Sequence, residues 1–271
     1  MLLAMLRSLR TGVVTIRYPA QSTQPPVRFR GEPQITTGKA FTALPPASVC
    51  PAGAISGGSG EPRYAIDLAR CVFCGRCAEH ALDGAIAMGR EFELARRQRV
   101  GLVVEVECDA AGLTTARPSA PEGEQVAERI RRILGHSLQL RHLDSGSCNA
   151  CDWELTALLN PVYDVRRLGI DVVASPRHAD GVLVTGPVTR NLETAVRRTY
   201  EAVPEPRVVI AVGACAASGG IVGRSYASAG GVGEVLPVDV LIPGCPPRPE
   251  AIIFGLLLAV GRLRERRSRA P

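Results

Sequence analysis

Cys71-Val72-Phe73-Cys74-Gly75-Arg76-Cys77 limits what this 271-residue chain can fold into more than any other stretch. Thiols spaced C-x-x-C-x-x-C wrap one face of an iron-sulfur cubane, and the fold must then bring up a fourth ligand from elsewhere. Cys50-Pro51 has the form of that remote ligand. A zinc site would more often pair two C-x-x-C knuckles.

An internal repeat supports the cubane. Gly53-Ala54-Ile55 recurs as Gly84-Ala85-Ile86, an offset of 31 residues. Moving Cys71, Cys74 and Cys77 back by that offset lands on Ala40, Ala43 and Pro46, and moving Cys50 forward lands on Ala81. One set of four ligands is complete and its repeat-related set is wholly missing, as clean loss of one cluster from a two-cluster ferredoxin would leave.

A second thiol set starts in Gly146-Ser147-Cys148-Asn149-Ala150-Cys151-Asp152-Trp153-Glu154 and continues with Cys215 and Cys245, both in glycine-rich turns. Cys148 and Cys151 sit in a turn opening a helix, where exposed N–H groups and the positive helix end stabilise anionic thiolates. Glycines 146, 213 and 244 let backbone come close to such a group. On spacing alone, zinc and iron-sulfur both remain open for this set. Cys108 ends the β-prone run GLVVEVEC with no partner left over, and reads as a buried or tolerated thiol.

From Ser137 onward, apolar runs at residues 171–174, 181–185, 207–212 and 238–242 alternate with helical patterns at 151–159, 191–202 and 248–264. That alternation predicts an α/β domain with a parallel sheet covered on both faces. Ligands of such sheets gather beyond the carboxyl ends of the strands, and Thr185-Gly186-Pro187, Gly213-Ala214-Cys215 and Pro243-Gly244-Cys245-Pro246-Pro247 fall there. Residues 109–125 read as a linker and 124–134 as a short helix. Residues 1–20 form a candidate amphipathic helix, and 21–49, rich in Pro, Gln, Thr and Gly, read as loop.

The apolar content of 46% supports a substantial core. Met1 to Leu6 is apolar before Arg7 and Arg10, the reverse of a secretory signal, so reduced thiols in the cytoplasm are expected. The longest apolar run, 252–260, is about half the ~20 residues a membrane helix needs. The net charge of +6 is uneven: residues 1–40 carry +5 and 262–271 carry +4, leaving −3 between them. The basic ends suit anionic lipid headgroups or acidic subunits, or are solvated faces in a chain whose only lysine is Lys39.

FRGEP, CPAGAI, DLARCVFCGRC and EFELA resemble the ferredoxin-type subunit of formate hydrogenlyase and respiratory complex I, apart from the missing second cluster. GSCNACDWE, SPRHADGVLVTGPVT, GACAASGG and PVDVLIPGCPP resemble the small subunit of group 4 nickel-iron hydrogenases and, more distantly, the homologous complex I subunit. The complex I form carries adjacent cysteines where this chain separates Cys148 from Cys151, which favours the hydrogenase.

The resemblance implies a fusion: a small α+β ferredoxin-like domain over 1–108, a linker with a short helix over 109–135, and a flavodoxin-like parallel-sheet domain over 136–271. It implies two 4Fe-4S clusters, one on Cys50, Cys71, Cys74 and Cys77, the other, the proximal one, on Cys148, Cys151, Cys215 and Cys245. The chain would be an electron-transfer subunit of a membrane-associated oxidoreductase, without a complete catalytic site of its own.

The implied partners are a nickel-iron hydrogenase-type large subunit, membrane subunits of a complex I-like module, and a ferredoxin or formate dehydrogenase donor, at the cytoplasmic face of the inner membrane. No nucleic-acid partner is expected. The alternatives are a nickel-free NADH-quinone oxidoreductase-like complex and a zinc-stapled scaffold. Asp152 and Glu154 are candidate proton carriers or caps of the helix's first turn. Arg177 and His178 are candidates for tuning cluster potential or for surface contacts, and Trp153 for packing or subunit contact.

Overall fold

The computed structural model describes residue 7 and residues 10–36, 41–57, 63–109, 112–118 and 137–261. The apolar residues of the expected first helix, residues 119–136 with the expected 124–134 helix, the basic segment 262–271 and the Cys108 side chain lie outside the described residues, while 112–118, expected as linker, form a strand instead. Residues 12–20 are not helical.

In the first half, β1 (Pro33–Ile35) pairs antiparallel with β4 (Ile86–Met88), and β2 (Ile55–Ser56), β3 (Arg63–Asp67), β5 (Val103–Asp109) and β6 (Gly112–Pro118) form a second antiparallel sheet. A five-residue helix, α1 (Arg76–His80), lies between β3 and β4. β1 corrects the reading of residues 21–49 as loop throughout: Ile35 faces Ile86 across the ladder, and both are buried. The tripeptide repeat has a structural counterpart. Gly53 and Gly84 both take positive φ, +58° and +67°, which glycine adopts without strain, and each turns a buried alanine and isoleucine into a strand.

The second half holds a five-stranded parallel sheet of β7 (Leu138–Asp144), β8 (Ile170–Val172), β9 (Gly181–Thr185), β10 (Val208–Val212) and β11 (Val240–Ile242). Its order, β11-β10-β9-β7-β8, is the flavodoxin-like doubly wound order 2-1-3-4-5 read from the other edge, with the switch point between β7 and β9. β7, absent from the sequence-based reading, is flanked by β8 and β9. Its LQLRHLD alternates rather than running apolar, with Leu138 and Leu140 buried.

The helices of this half are α2 (Ala150–Ala157), α3 (Arg190–Ala202), α4 (Gly213–Ser218) and α5 (Pro249–Ala259). α4 stands where a glycine-rich turn was expected, because Ala214, Ala216 and Ala217 follow the glycine and propagate a helix well. α3 presents Arg190, Glu193 and Arg197 as exposed ion pairs of 2.9 Å each. Every residue of α5 is buried, so its continuous apolar sequence belongs to a core. Among the described residues no helix is long and apolar enough to cross a membrane.

Period-2 alternation splits β9 and β10 between two hydrophobic clusters. Val182, Val184, Val209 and Ala211 join a cluster that continues into Ile35, Tyr64, Ile66 and Leu102 of the first half. Leu183, Val208, Ile210 and Val212 face α5, together with Tyr18 and Phe92. Arg96 and Leu241 exchange backbone hydrogen bonds of 3.0 and 2.8 Å, so the 91–98 segment covers part of the β11 edge. The Tyr18 hydroxyl donates to Glu93 Oε1 at 2.8 Å, and Arg167 donates to the Ile16 carbonyl at 2.9 Å. The two halves therefore share apolar packing and backbone pairing.

Candidate functional site

Cys50 follows a short 3-10 turn, Cys71 follows the turn after β3, and Cys74 and Cys77 lead into and open α1. All four line one small cavity walled also by Ile55 and Ile66. Backbone N–H groups already point at two of the sulfurs: Ala54 to Cys50 Sγ at 3.2 Å and Phe73 to Cys71 Sγ at 3.3 Å. Phe73 takes φ +54°, uncommon for so bulky a side chain, and marks local strain in this loop. Burial pushes the Cys71 thiol up to about 12 against the lowering by the Phe73 N–H, and the charges of Cys77, Cys50 and Cys74 add to the rise. Cys77 is likewise raised by burial, then by Cys74 and Cys50.

The second set converges from three strand ends. Cys148 lies in the loop after β7, Cys151 in the first turn of α2, Cys215 in α4 directly after β10, and Cys245 just beyond β11. Burial first, then the charges of Cys215, Cys245, Asp152 and Cys148, push the Cys151 thiol well up. Cys215 is raised by burial, then by Cys245 and Cys148. Such mutual effects require the four thiols to lie within electrostatic reach of one another. Cys148 and Cys245 are exposed, so the site opens to one side. Gly213 lies against this set with φ +88°, and a Cβ there would stand 2.5 Å from Cys151 Sγ.

Among the described residues no three His, Cys, Asp or Glu side chains stand close enough to share a single metal ion. A cubane distributes its four thiolates over four irons, so two sets of four cysteines suit its donor chemistry. The eight are free thiols, and bound thiolates would balance the mutual repulsion against the cluster's positive iron.

Asp152 does more than cap α2, whose N-cap, Asn149, makes no side-chain bond. Its Oδ1 accepts from Thr185 Oγ1 at 2.9 Å and lies 2.9 Å from His142 Nε2, while its Oδ2 accepts from Ser147 Oγ. It thereby ties the Cys148 loop to β7 and β9. Asp144 Oδ1 adds bonds from the N–H groups of Gly146 and Ser147, at 2.9 and 2.7 Å. Burial lowers the His142 pKa although Asp152 and Asp144 oppose it. Reading β7 as an alternating strand would have brought His142 to notice. Glu154 is partly buried, and its pKa is raised by burial and by Glu250, with Arg248 opposing.

Arg177 and His178 are exposed and precede β9, at the amino end of the sheet opposite the cysteines. That position removes the basis for reading them as tuning residues. Trp153 is 74% exposed, which overturns a packing role within the chain. A further cavity lies between the thiol sets, lined by Val72 and Phe73 on one side and Gly244 and Cys245 on the other, with Arg30 and Arg248 at its walls. Arg30 Nη1 donates to the Cys74 carbonyl, and Ser218 Oγ of α4 donates to the Ala69 carbonyl at 2.8 Å.

Residues 148–259 match the protein family described as NADH ubiquinone oxidoreductase, 20 Kd subunit. The chain is 46% identical to a probable membrane-bound hydrogenase subunit of Pyrococcus furiosus, over 52% of this chain and 87% of that protein. It is 44% identical to formate hydrogenlyase subunit 7 of Escherichia coli, over 51% of this chain and 54% of the relative. An NADH-quinone oxidoreductase subunit of Bacteroides thetaiotaomicron is 46% identical, over 40% of this chain and 56% of the relative. These relatives are subunits of oxidoreductase complexes.

Proposed function

Because this chain belongs to the NADH ubiquinone oxidoreductase 20 Kd subunit family, we propose that it is the electron-transfer subunit of a membrane-associated, group 4 hydrogenase-like complex, fused to a one-cluster ferredoxin-like domain. The observation that carries this reading is the convergence of Cys148, Cys151, Cys215 and Cys245 from three strand ends at one open site. A 4Fe-4S cluster supplies one-electron chemistry when bound. The chain supplies thiolates, glycines that let backbone approach, and an Asp152 strut that keeps the Cys148 loop in place. Cys50, Cys71, Cys74 and Cys77 would hold a second cluster on the other side of the intervening cavity.

The exposed side of the site, bordered by Trp153, is where a large catalytic subunit would dock, with membrane subunits anchoring the complex at the cytoplasmic face. Glu154, beside Glu250, is the better candidate for proton transfer, since Asp152 is committed to three hydrogen-bond partners. Likeness to the NADH-quinone oxidoreductase subunits supports a nickel-free complex as the second reading, and nickel analysis of the intact complex separates the two.

Anaerobic iron and sulfide assay should give about eight irons per chain, falling to about four in either Cys74→Ala or Cys215→Ala. Zinc in place of iron, or about four irons in the unaltered chain, would refute the two-cluster reading.

A further inference from the structure

Ser218 ends α4, three residues beyond Cys215, and its side chain reaches across to the first half of the chain. Its hydroxyl donates to the Ala69 carbonyl, two residues before Cys71, at 2.8 Å. The same hydroxyl lies 3.2 Å from the Ala214 carbonyl, whose carbon is bonded to the Cys215 nitrogen. One side chain thus joins the peptide next to a ligand of the second thiol set to the segment that leads into the first.

Both ends of this bridge are held. The Ala69 N–H donates to Asp67 Oδ1 at 2.9 Å, and Asp67 Oδ2 is paired with Arg99 at 2.9 Å. On the other side, a Cβ on Gly231 would stand 3.2 Å from the Ser218 Cα, and one on Gly220 would stand 3.0 Å from Cys215 Sγ. Ser218 and Ala69 are both buried, and Leu68, Cys71, Ala216 and Ala217 share the apolar cluster around them.

A serine in a helix can satisfy its hydroxyl on the carbonyl four residues back, and Ala214 offers that carbonyl. The shorter bond nevertheless runs outward to Ala69. The backbone pairing of Arg96 with Leu241 also joins the halves, but Arg96 lies outside both cysteine loops. The two sets also approach each other where Val72 and Phe73 face Gly244 and Cys245, and there a cavity separates the walls. Electronic coupling falls off more slowly through bonds and hydrogen bonds than across a gap, which favours the route through Ser218.

We propose that Ser218 is a positioning residue for electron transfer between the two thiol sets, its hydroxyl joining the Ala69 and Ala214 carbonyls into a buried, bonded route from one set to the other. This rests on the reading that each set holds a 4Fe-4S cluster. The transfer moves one electron, oxidising one group and reducing the other, with no bond made or broken.

The test is pulse radiolysis of the anaerobically purified holoprotein, which follows re-equilibration of an added electron between the clusters. EPR-monitored titration of both midpoints checks the driving force. Ser218→Ala should slow re-equilibration severalfold at unchanged midpoints, with about eight irons per chain, while Ser218→Thr, which keeps the hydroxyl, should stay close to the unaltered rate. Ser175→Ala, at the far end of the sheet, should change nothing. An unaltered rate in Ser218→Ala at full iron overturns the inference, as does a slowing that shifted midpoints account for, or an equal slowing in Ser218→Thr. If Ser218→Ala fails to assemble, Ser218→Thr and Ser218→Val, alike in shape, decide: slower transfer in Ser218→Val supports the bridge, and equal rates overturn it. Only about four irons in the unaltered protein would overturn the two-cluster reading itself, and iron analysis recognises that separately.

Discussion

Gly213→Ala tests how tightly the backbone is built around the second thiol set. The added Cβ would stand 2.5 Å from Cys151 Sγ, where non-bonded heavy atoms settle at about 3.5–4.0 Å, so something must move by about 1 Å. The backbone has little room to yield, because Val212 is buried in β10 and the Ala214 N–H is bonded to the Gly244 carbonyl at 2.8 Å. The sulfur has to leave its place. At φ +88° the alanine also costs about 1–2 kcal/mol of left-handed strain. Overpacking adds about 1–3 kcal/mol, for a total near 2–5 kcal/mol in the apo chain.

Gly84→Ala is the matched control, since its φ of +67° carries similar strain but nothing lies within 4 Å of the added atom. Urea unfolding monitored by far-UV circular dichroism should rank Gly213→Ala clearly below Gly84→Ala. Iron analysis should find about four irons in the former and about eight in the latter. A Gly213→Ala protein with full iron and the stability of Gly84→Ala would refute the reasoning that this glycine is a cradle for the cluster.

Ser218→Ala removes hydrogen bonds to the Ala69 and Ala214 carbonyls and should cost about 1–2 kcal/mol by chemical denaturation, loosening α4 from the segment entering Cys71. His142 titrates with a lowered pKa because burial disfavours its charged form. Its contribution to stability is therefore complete above about pH 6.5 and is lost as pH falls through the lowered folded-state value. His142→Gln should flatten that part of the acid limb in apo-protein unfolding, and an unchanged limb would show that another group is responsible. Trp153, the sole tryptophan, should emit as a solvated indole in the isolated chain and shift to the blue when a large subunit docks; an unshifted spectrum in the assembled complex would place the interface elsewhere.

The cysteine spacings, the Gly-Ala-Ile repeat and the apolar runs of β9 and β10 were legible in the sequence because each is a local constraint. A cluster loop needs thiols at fixed separation, a positive-φ turn needs glycine, and a strand buried on both faces needs apolar residues throughout. These features grouped the eight thiols into two sets and placed Cys215 and Cys245 at strand ends. β7 and β1 were missed because their burial depends on what lies across the ladder, β8 and β9 on either side of β7 and Ile86 opposite Ile35.

Arg248 could not be singled out from Arg177 in a chain holding 32 basic residues. Packing alone decided that Arg248 sits against Phe29, Phe92 and Glu250 while Arg177 stays exposed. The sequence by itself determined which atoms can bind metal, since ligand chemistry resides in residue type and short spacing. The tertiary structure decided which charges stand beside them, since desolvation and through-space electrostatics depend on residues far apart in the chain.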